Sequence, residues 1–311
     1  MSFLAAHGFA EARPETLQAD ASKRYTRLHG GPRPALLMQT PNAAYLTAFL
    51  HVAGHLAAIG VPAPAVIAVD PAENQALVED LGRASMAEAL DAGEAAAPLY
   101  LAAAETLARL HTAPPPPGLP AWDASAMARA TAATFCDWWW PARFGAPPGA
   151  EPREALNAAL HAMLAPFAGV GFVHRDYFPA NLIPTSRGMA VIDFQDAASG
   201  HAAYDLLSLV EDARRDVPPD LRDAAIARYL ALRPGLDADS FQAAMAVHGA
   251  QRHLRVASLW VRLDRRDGKP HYLAHGPRCW RLLDAALQHP AAAPLAGFLD
   301  LHVPQHLRGN P

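Results

Sequence analysis

Three polar side chains lie at short spacing inside one largely apolar stretch, residues 172–196. They are Asp176, Asn181 and Asp193. Transfer of the γ-phosphoryl group of ATP requires a carboxylate at the attacking hydroxyl, and an amide oxygen and a second carboxylate that hold magnesium against the phosphates. A single His-x-Asp triplet also occurs in ordinary salt-bridged loops, but this ordered set is much harder to reach by chance. The spacing predicts Asp176 as the catalytic base and Asn181 and Asp193 as metal ligands.

Short apolar strands must position these side chains. Residues 182–184 and 189–192 flank a Ser-Arg-Gly turn at 186–188, a pattern that predicts a β-hairpin. Because a hairpin brings its two outer ends together, we expect Asn181 and Asp193 to lie side by side.

Composition limits the classes of protein to which the chain can belong. The 311 residues are 51% hydrophobic, which is enough for one two-lobed domain or two small ones. The net charge is −4 without any block of like charges, so nucleic-acid binding is not indicated. The two cysteines, Cys136 and Cys279, lie far apart, as is typical of a reducing compartment. No signal peptide is evident, and prolines interrupt the uncharged stretch 35–69, so a cytoplasmic protein without a membrane span is predicted.

The catalytic stretch resembles the aminoglycoside-phosphotransferase branch of the protein-kinase-like fold. The matching segments are HRDYxxxNL, which starts at His174, and VIDFQDAxxGxxxYDLxSL, which starts at Val191. Within that branch the chain is most similar to the anomeric N-acetylmuramate/N-acetylglucosamine kinases of bacterial cell-wall recycling. Residues 20–25, 79–82 and 251–254 with 266–269 add to that resemblance.

The resemblance implies a two-lobed α+β fold. Residues 1–82 would form an N-lobe with a five-stranded antiparallel sheet and one helix, which ends in a hinge at 79–82. Residues 83–311 would form a larger, mainly helical C-lobe, with the catalytic loop at 174–181 and the metal site at Asp193. The predicted strands span residues 16–18, 25–28, 35–39, 65–69 and 75–78, and the N-lobe helix spans 42–59.

The resemblance also implies where the nucleotide binds. The link between the first two strands would cover the phosphates of ATP with Ser22, Lys23 or Arg24, although an ordinary polar turn is the alternative. Main-chain groups of the hinge, at Glu79 and Leu81, would bind adenine.

Two charged residues typical of kinases are absent. The third strand lacks its lysine, and the helix 42–59 lacks any acidic partner, so neither charge is left buried alone. Lys23 and Arg24 are the nearest cations that could replace the lysine.

Two further residues are predicted to support the catalytic loop. Asp205 matches an aspartate that bonds the backbone of that loop in the kinase-like fold, with helix N-capping as the alternative. His174 begins the HRD triplet and is assigned the same supporting role.

The residues that would contact the acceptor lie in the C-terminal part. Between residues 252 and 281 there are eight Arg and Lys against two Asp, which suits a neutral or anionic acceptor better than a polycation. Arg252 is the candidate for a carboxylate, and Trp139, in a run of three tryptophans, for stacking on a sugar ring. A solvated basic face and ordinary core packing are the alternatives.

The expected activity is phosphorylation, with ATP and Mg²⁺, of the C1 hydroxyl of N-acetylmuramate or N-acetylglucosamine in peptidoglycan recycling, by a monomer. A kinase for an aminoglycoside or amino alcohol remains an alternative. A non-catalytic nucleotide-binding protein is another, because the lysine–glutamate pair is missing.

Overall fold

The computed structural model describes residues 2–17, 23–82 and 84–311. The strands are β1 Arg13–Thr16, β2 Arg24–His29, β3 Ala35–Gln39, β4 Val66–Asp70, β5 Gln75–Glu79, β6 Gly171–Val173, β7 Leu182–Thr185, β8 Gly188–Val191 and β9 Ala198–Gly200. The α-helices are α1 Phe3–Ala6, α2 Ala43–Ala58, α3 Met86–Asp91, α4 Ala96–Thr112, α5 Ala124–Thr134, α6 Trp140–Phe144, α7 Ala150–Leu164, α8 Ala203–Val210, α9 Pro219–Ala231, α10 Ala238–Asp267, α11 Gly276–Ala286 and α12 Ala293–His302. A π-helical turn, Phe135–Trp139, joins α5 to α6. Short 3₁₀ turns span Ala165–Phe167, Pro179–Asn181, Pro270–His275, Pro290–Ala292 and Gln305–Leu307.

The chain divides into two compact units. The first comprises Met1–Pro117 with His174–Ala197, and the second comprises Gly118–Val173 with Ala198–Pro311. This division differs from the predicted boundary at residue 82. The difference arises because α3 packs against β7 and α4 against β8, which groups both helices and the catalytic stretch with the N-terminal sheet.

The first unit is built on an antiparallel five-stranded sheet with the order β1-β2-β3-β5-β4. The sheet and the mainly helical second unit agree with the predicted α+β class. The first strand starts at Arg13, three residues before the predicted start. It contains Pro14, which is tolerated because β1 is an edge strand.

The two faces of the five-stranded sheet have different surroundings. On one face, Phe9, Leu28, Ala35 and Leu77 form a small buried cluster beside α1. The opposite face lines a cavity, described below.

Helix α2 contributes a buried stripe to the first unit. Its N-terminus is capped by Asn42, whose side chain accepts a hydrogen bond from the Tyr45 N–H at 2.9 Å. The buried residues are Leu46, Phe49, Val52, Ala53 and Leu56, at the helical spacing that the sequence shows.

The predicted hairpin is confirmed as β7–β8. Leu182 pairs with Val191 and Thr185 with Gly188. The tight turn needs a left-handed residue, which Gly188 supplies with φ 110°. The Ile192 N–H donates to the Asn181 carbonyl at 3.0 Å, so the pairing continues to the residues that flank the hairpin.

The second unit is organised around the 30-residue helix α10, which packs against α5, α8 and α11. The helix ends at Gly268, with φ 64°. A π-helical turn, Phe135–Trp139, interrupts the helical stretch between α5 and α6. Both cysteines are buried and free. In the described part of the chain, no helix is long and apolar enough to cross a membrane.

Candidate functional site

The catalytic loop is held by His174, which is fully buried. Its Nε2 lies 3.1 Å from the Ile192 carbonyl, and its Nδ1 accepts the Asp176 N–H at 3.3 Å. Because a carbonyl can only accept, Nε2 carries the proton, which leaves Nδ1 as the acceptor. The ring therefore ties the backbone at Asp176 to the residue before Asp193, and a supporting role of His174 in catalysis stays a prediction.

Arg175 and Tyr177 also fix the first half of the loop. The Tyr177 hydroxyl donates to the Ala103 carbonyl in α4 at 2.8 Å. Arg175 adopts φ 73° and donates to the Asp196 carbonyl at 3.2 Å. A left-handed conformation at a residue other than glycine costs free energy, so it persists only where the surroundings hold it.

Asn181 ends the 3₁₀ turn Pro179–Asn181. Its Nδ2 donates to the Asp176 carbonyl at 3.0 Å. This bond fixes the orientation of the amide, so that Oδ1 is the atom left for a cation.

Asp193 follows β8 in a left-handed conformation, with φ 62°. Its Oδ1 accepts a hydrogen bond from Gln195 Nε2 at 3.0 Å and forms an ion pair with Lys23. The next residue, Phe194, is fully buried and stacks on Phe49 of α2, with ring centroids 5.0 Å apart. The stack anchors the backbone that carries the carboxylate.

The donor set fits a magnesium ion. Mg²⁺ favours oxygen ligands and is usually bound through one or two carboxylates together with substrate phosphates. The carboxylate of Asp193 and the oriented amide oxygen of Asn181 are such ligands, and both residues line the same cavity.

That cavity, about 520 Å³ in volume, lies on the inner face of the sheet. Its size is typical of a small-ligand site. Apolar side chains form much of its wall, among them Leu36, Val78, Ile183 and Ile192. Polar residues lie at its two ends: Asp80 at the hinge, and Asn181, Asp193 and Lys23 at the other.

Some of the predicted nucleotide-binding residues line the cavity and others do not. Lys23, Glu79 and Leu81 line the cavity, and Ser22 lies outside the described residues. Arg24 is exposed and does not line the cavity, because side chains alternate along β2. The structure therefore brings Lys23, and not Arg24, to the carboxylate of Asp193.

The hinge carries contacts that the sequence interpretation missed. Arg27 donates to Asp80 from Nε at 2.6 Å and from Nη2 at 3.2 Å, and this hydrogen bonding to Asp80 raises the pKa of Arg27. Glu79 uses its side chain for Arg187 and the Ala65 N–H, each at 3.1 Å. The Glu79 N–H in turn donates to the Ala65 carbonyl at 2.8 Å, so neither the side chain nor the N–H of Glu79 is unpaired. The alternation Lys23, Tyr25, Arg27 in the sequence was the signal for a second cation in the cavity.

Three predicted residues lie in the second unit. Asp205 is buried in the first turn of α8, and its support of the catalytic loop stays a prediction. Trp139 is fully buried, stacks on Phe135 and donates from Nε1 to the Gly309 carbonyl at 2.8 Å. Its ring has no exposed face for a sugar, so the structure favours the core-packing alternative.

Arg252 is more buried than the other arginines near it, although Arg262 also has an Nε without a hydrogen-bond partner among the described residues. Arg252 is only 2% exposed, and its Nε and Nη1 have no hydrogen-bond partner among the described residues. By contrast, Arg278 and Arg281 both pair with Asp216, and the hydrogen bond from Arg278 lowers the pKa of that carboxyl group. Arg266 is exposed and pairs with Asp267. Part of the basic charge counted in the sequence is therefore neutralised locally.

Comparison with known proteins identifies relatives that this chain resembles along most of its length. The chain is 38% identical to the N-acetylmuramate/N-acetylglucosamine kinase of Caulobacter vibrioides, over 99% of this chain and 96% of that protein. It is 33% identical to the protein of the same name from Pseudomonas aeruginosa, over 94% and 90%.

Solved structures support the fold. The crystal structure of a choline/ethanolamine kinase family protein from Mesorhizobium loti matches with a TM-score of 0.65, at 15% identity, over 97% of this chain and 96% of that one. The predicted protein-kinase-like fold is thereby confirmed. Residues 14–240 match the model of the phosphotransferase enzyme family, and the chain belongs to that family.

Proposed function

We propose that this protein is an ATP- and Mg²⁺-dependent kinase that phosphorylates the anomeric (C1) hydroxyl of N-acetylmuramate or N-acetylglucosamine. The observation that carries the proposal is that His174 and the Asn181 side chain hold the backbone of Asp176, while Asn181 and Asp193 line one cavity. The 38% identity to a kinase named for these sugars supports the choice of acceptor.

The chemistry follows from the residues in place. Asp176 accepts the proton of the C1 hydroxyl as that oxygen forms a bond to the γ-phosphorus of ATP. The bond between the γ-phosphorus and the β–γ bridging oxygen breaks, and ADP leaves with the electron pair. Asn181 and Asp193 would hold magnesium, which neutralises the charge on the phosphate oxygens. An anomeric hydroxyl is more acidic than an ordinary alcohol, which eases proton transfer to Asp176.

The setting of the reaction belongs to the proposal too. We place the enzyme in the cytoplasm as a monomer, acting on free amino sugars in peptidoglycan recycling. Only ATP and the small acceptor are expected as partners.

The test of the acceptor position compares free sugars with blocked ones. We expect phosphorylation of N-acetylmuramate or N-acetylglucosamine and none of the corresponding α- or β-methyl glycosides, because the methyl group removes the attacking hydroxyl. Equal turnover of a methyl glycoside would move the reaction to another hydroxyl. Turnover of choline or kanamycin, and of neither sugar, would replace the acceptor class.

Arg252 is the proposed partner of the lactyl carboxylate of N-acetylmuramate. A buried guanidinium with unpaired donors is costly, since burial of a charge is tolerated where the charge is paired. Nε and Nη1 are the two donors of Arg252 without a partner, and either can form a charge-assisted hydrogen bond to a carboxylate oxygen. An anionic acceptor would supply the missing partner.

Variants at Arg252 separate this role from a structural one. We expect Arg252→Gln to raise the KM for N-acetylmuramate on the order of 10- to 100-fold, the loss of a charged hydrogen bond, and to leave the KM for N-acetylglucosamine little changed. Arg129→Gln, an exposed arginine on α5, is the matched control. Equal effects on both sugars would assign Arg252 to structure alone.

A further inference from the structure

The cavity face of the third strand carries no charge where a kinase would have its lysine. Side chains alternate along β3, so Leu36 and Met38 share one face. Leu36 lines the cavity and Met38 is fully buried behind it. Helix α2, which would supply the acidic partner, contains no Asp or Glu. A cation for the phosphates has to come from another element.

The second strand supplies two cations on the same face. Lys23 directly precedes β2, and Lys23, Tyr25 and Arg27 alternate so that all three line the cavity. The register pairs Tyr25 with Met38 and Arg27 with Leu36, so this row lies beside the uncharged row of β3. The Tyr25 hydroxyl also contacts the Met38 sulfur at 3.4 Å.

The two cations have different tasks because they lie at opposite ends of the row. Arg27 is bound in two places by Asp80 at the hinge. Lys23 pairs with Asp193, and its side chain is 16% exposed. Lys23 is thus the cation beside the proposed metal ligand, within reach of phosphates that a metal there would hold.

We propose that Lys23 replaces the third-strand lysine: its ammonium binds the phosphates of the nucleotide, and Asp193 holds it in place when no nucleotide is bound. The proposal rests on the proposed role of Asp193 as a metal ligand. The same carboxylate then serves two partners in turn. When the metal–nucleotide complex binds, Asp193 exchanges Lys23 for the metal and Lys23 exchanges Asp193 for phosphate oxygens.

This exchange explains how Lys23 can act without an acidic partner on α2. In the exchange each charge has an opposite charge beside it before and after binding, so no buried charge stands alone at either stage. Gln195 donates to the same Oδ1 of Asp193 at 3.0 Å and keeps the carboxylate oriented while its partner changes. It follows that Lys23 competes with metal for Asp193 in the absence of nucleotide.

Two binding measurements on the full chain test the proposal without reliance on turnover. For Lys23→Met we expect the affinity for Mn²⁺–ADP to fall on the order of 10- to 100-fold, because a charged hydrogen bond to phosphate is lost. We expect the affinity for Mn²⁺ alone, followed by electron paramagnetic resonance, to rise, because Asp193 is released. Lys23→Arg should retain the nucleotide affinity within a few-fold.

Three comparison variants define the outcome. Arg33→Met removes an exposed cation in the β2–β3 turn and should change neither constant. If Arg24→Met lowers nucleotide affinity and Lys23→Met does not, Lys23 is not the phosphate cation and the proposal is overturned. Asp193→Ala tests the role of Asp193 separately from that of Lys23. Unchanged Mn²⁺ binding in Asp193→Ala would refute the role of Asp193 as a metal ligand. Loss of Mn²⁺ binding in Asp193→Ala, together with normal nucleotide binding by Lys23→Met, would refute only the role of Lys23.

Discussion

Asp176 is the proposed general base, so we expect turnover to depend on it most directly. Its backbone is held by His174 Nδ1 from one side and by the Asn181 side chain from the other. These bonds use main-chain atoms of Asp176, so its carboxylate remains available to an acceptor hydroxyl. His174 and Asn181 thus fix the backbone that carries the carboxylate without forming a hydrogen bond to the carboxylate itself.

We expect Asp176→Asn to lower kcat by about 10²–10⁴-fold, the usual contribution of a positioned general base. The affinity for ATP should stay nearly unchanged, because the amide keeps the size of the side chain and the metal ligands are intact. Steady-state kinetics and calorimetry with ATP measure the two effects. Glu73→Gln, in the exposed turn between β4 and β5, is the control. A kcat near that of the wild type would remove Asp176 from the mechanism.

Asp193 should act through metal and not through proton transfer. We expect Asp193→Ala to abolish the part of ATP affinity that depends on Mg²⁺, because its carboxylate links the metal to the phosphates. Titration of ATP with and without Mg²⁺ shows the difference directly. An unchanged gain in affinity on addition of Mg²⁺ would assign the metal to other residues.

At the scale of elements, the sequence was informative wherever the signal was local. The β7–β8 hairpin was predicted because two apolar runs flank a Ser-Arg-Gly turn, and its geometry then places Asn181 beside the end of β8. Lys23 and Arg24 could not be separated in the same way. A shift of one residue in a strand moves a side chain to the opposite face, and the face is set by pairing with β3.

Contacts between distant segments were also beyond the sequence. The stack of Phe49 on Phe194 joins α2 to the turn that carries Asp193. Trp139 is another example, because its burial depends on Phe135 and on the C-terminal Gly309. Neither spacing nor residue type reveals which of three successive tryptophans is enclosed.

The aromatic stack yields a prediction for α2. We expect Phe49→Ala to lower the free energy of unfolding by about 3–5 kcal/mol, as for other buried Phe→Ala changes. It should also weaken Mg²⁺-dependent ATP binding, since Asp193 adjoins the ring that loses its partner. Phe49→Leu, which keeps most of the buried volume, should cost much less stability. Chemical denaturation and ATP titration follow the two properties. Full Mg²⁺-dependent affinity in folded Phe49→Ala would show that the stack does not position Asp193.

At the scale of the whole molecule, charge is unevenly distributed along the chain. The net charge is −4, yet residues 252–281 carry eight Arg and Lys against two Asp. Several of these cations are paired within the second unit, so the excess that a ligand would meet is smaller than the count suggests. Arg252 is the buried member with donors still unmatched.

This charge distribution predicts how acceptors of different charge respond to salt. A polycation such as kanamycin should not be phosphorylated, because like charges disfavour its docking. N-acetylmuramate carries one negative charge and N-acetylglucosamine none, so attraction should help only the former. Raising the ionic strength from about 0.01 M to about 1 M shortens the Debye length from about 30 Å to about 3 Å. We therefore expect the KM for N-acetylmuramate to rise with salt and that for N-acetylglucosamine to stay nearly constant.

Steady-state kinetics at several NaCl concentrations, with ATP saturating throughout, measure both KM values. Arg252→Gln should flatten the salt dependence for N-acetylmuramate, whereas Arg129→Gln should not. Parallel salt curves for the two sugars, or turnover of kanamycin, would contradict an acceptor site tuned to negative charge.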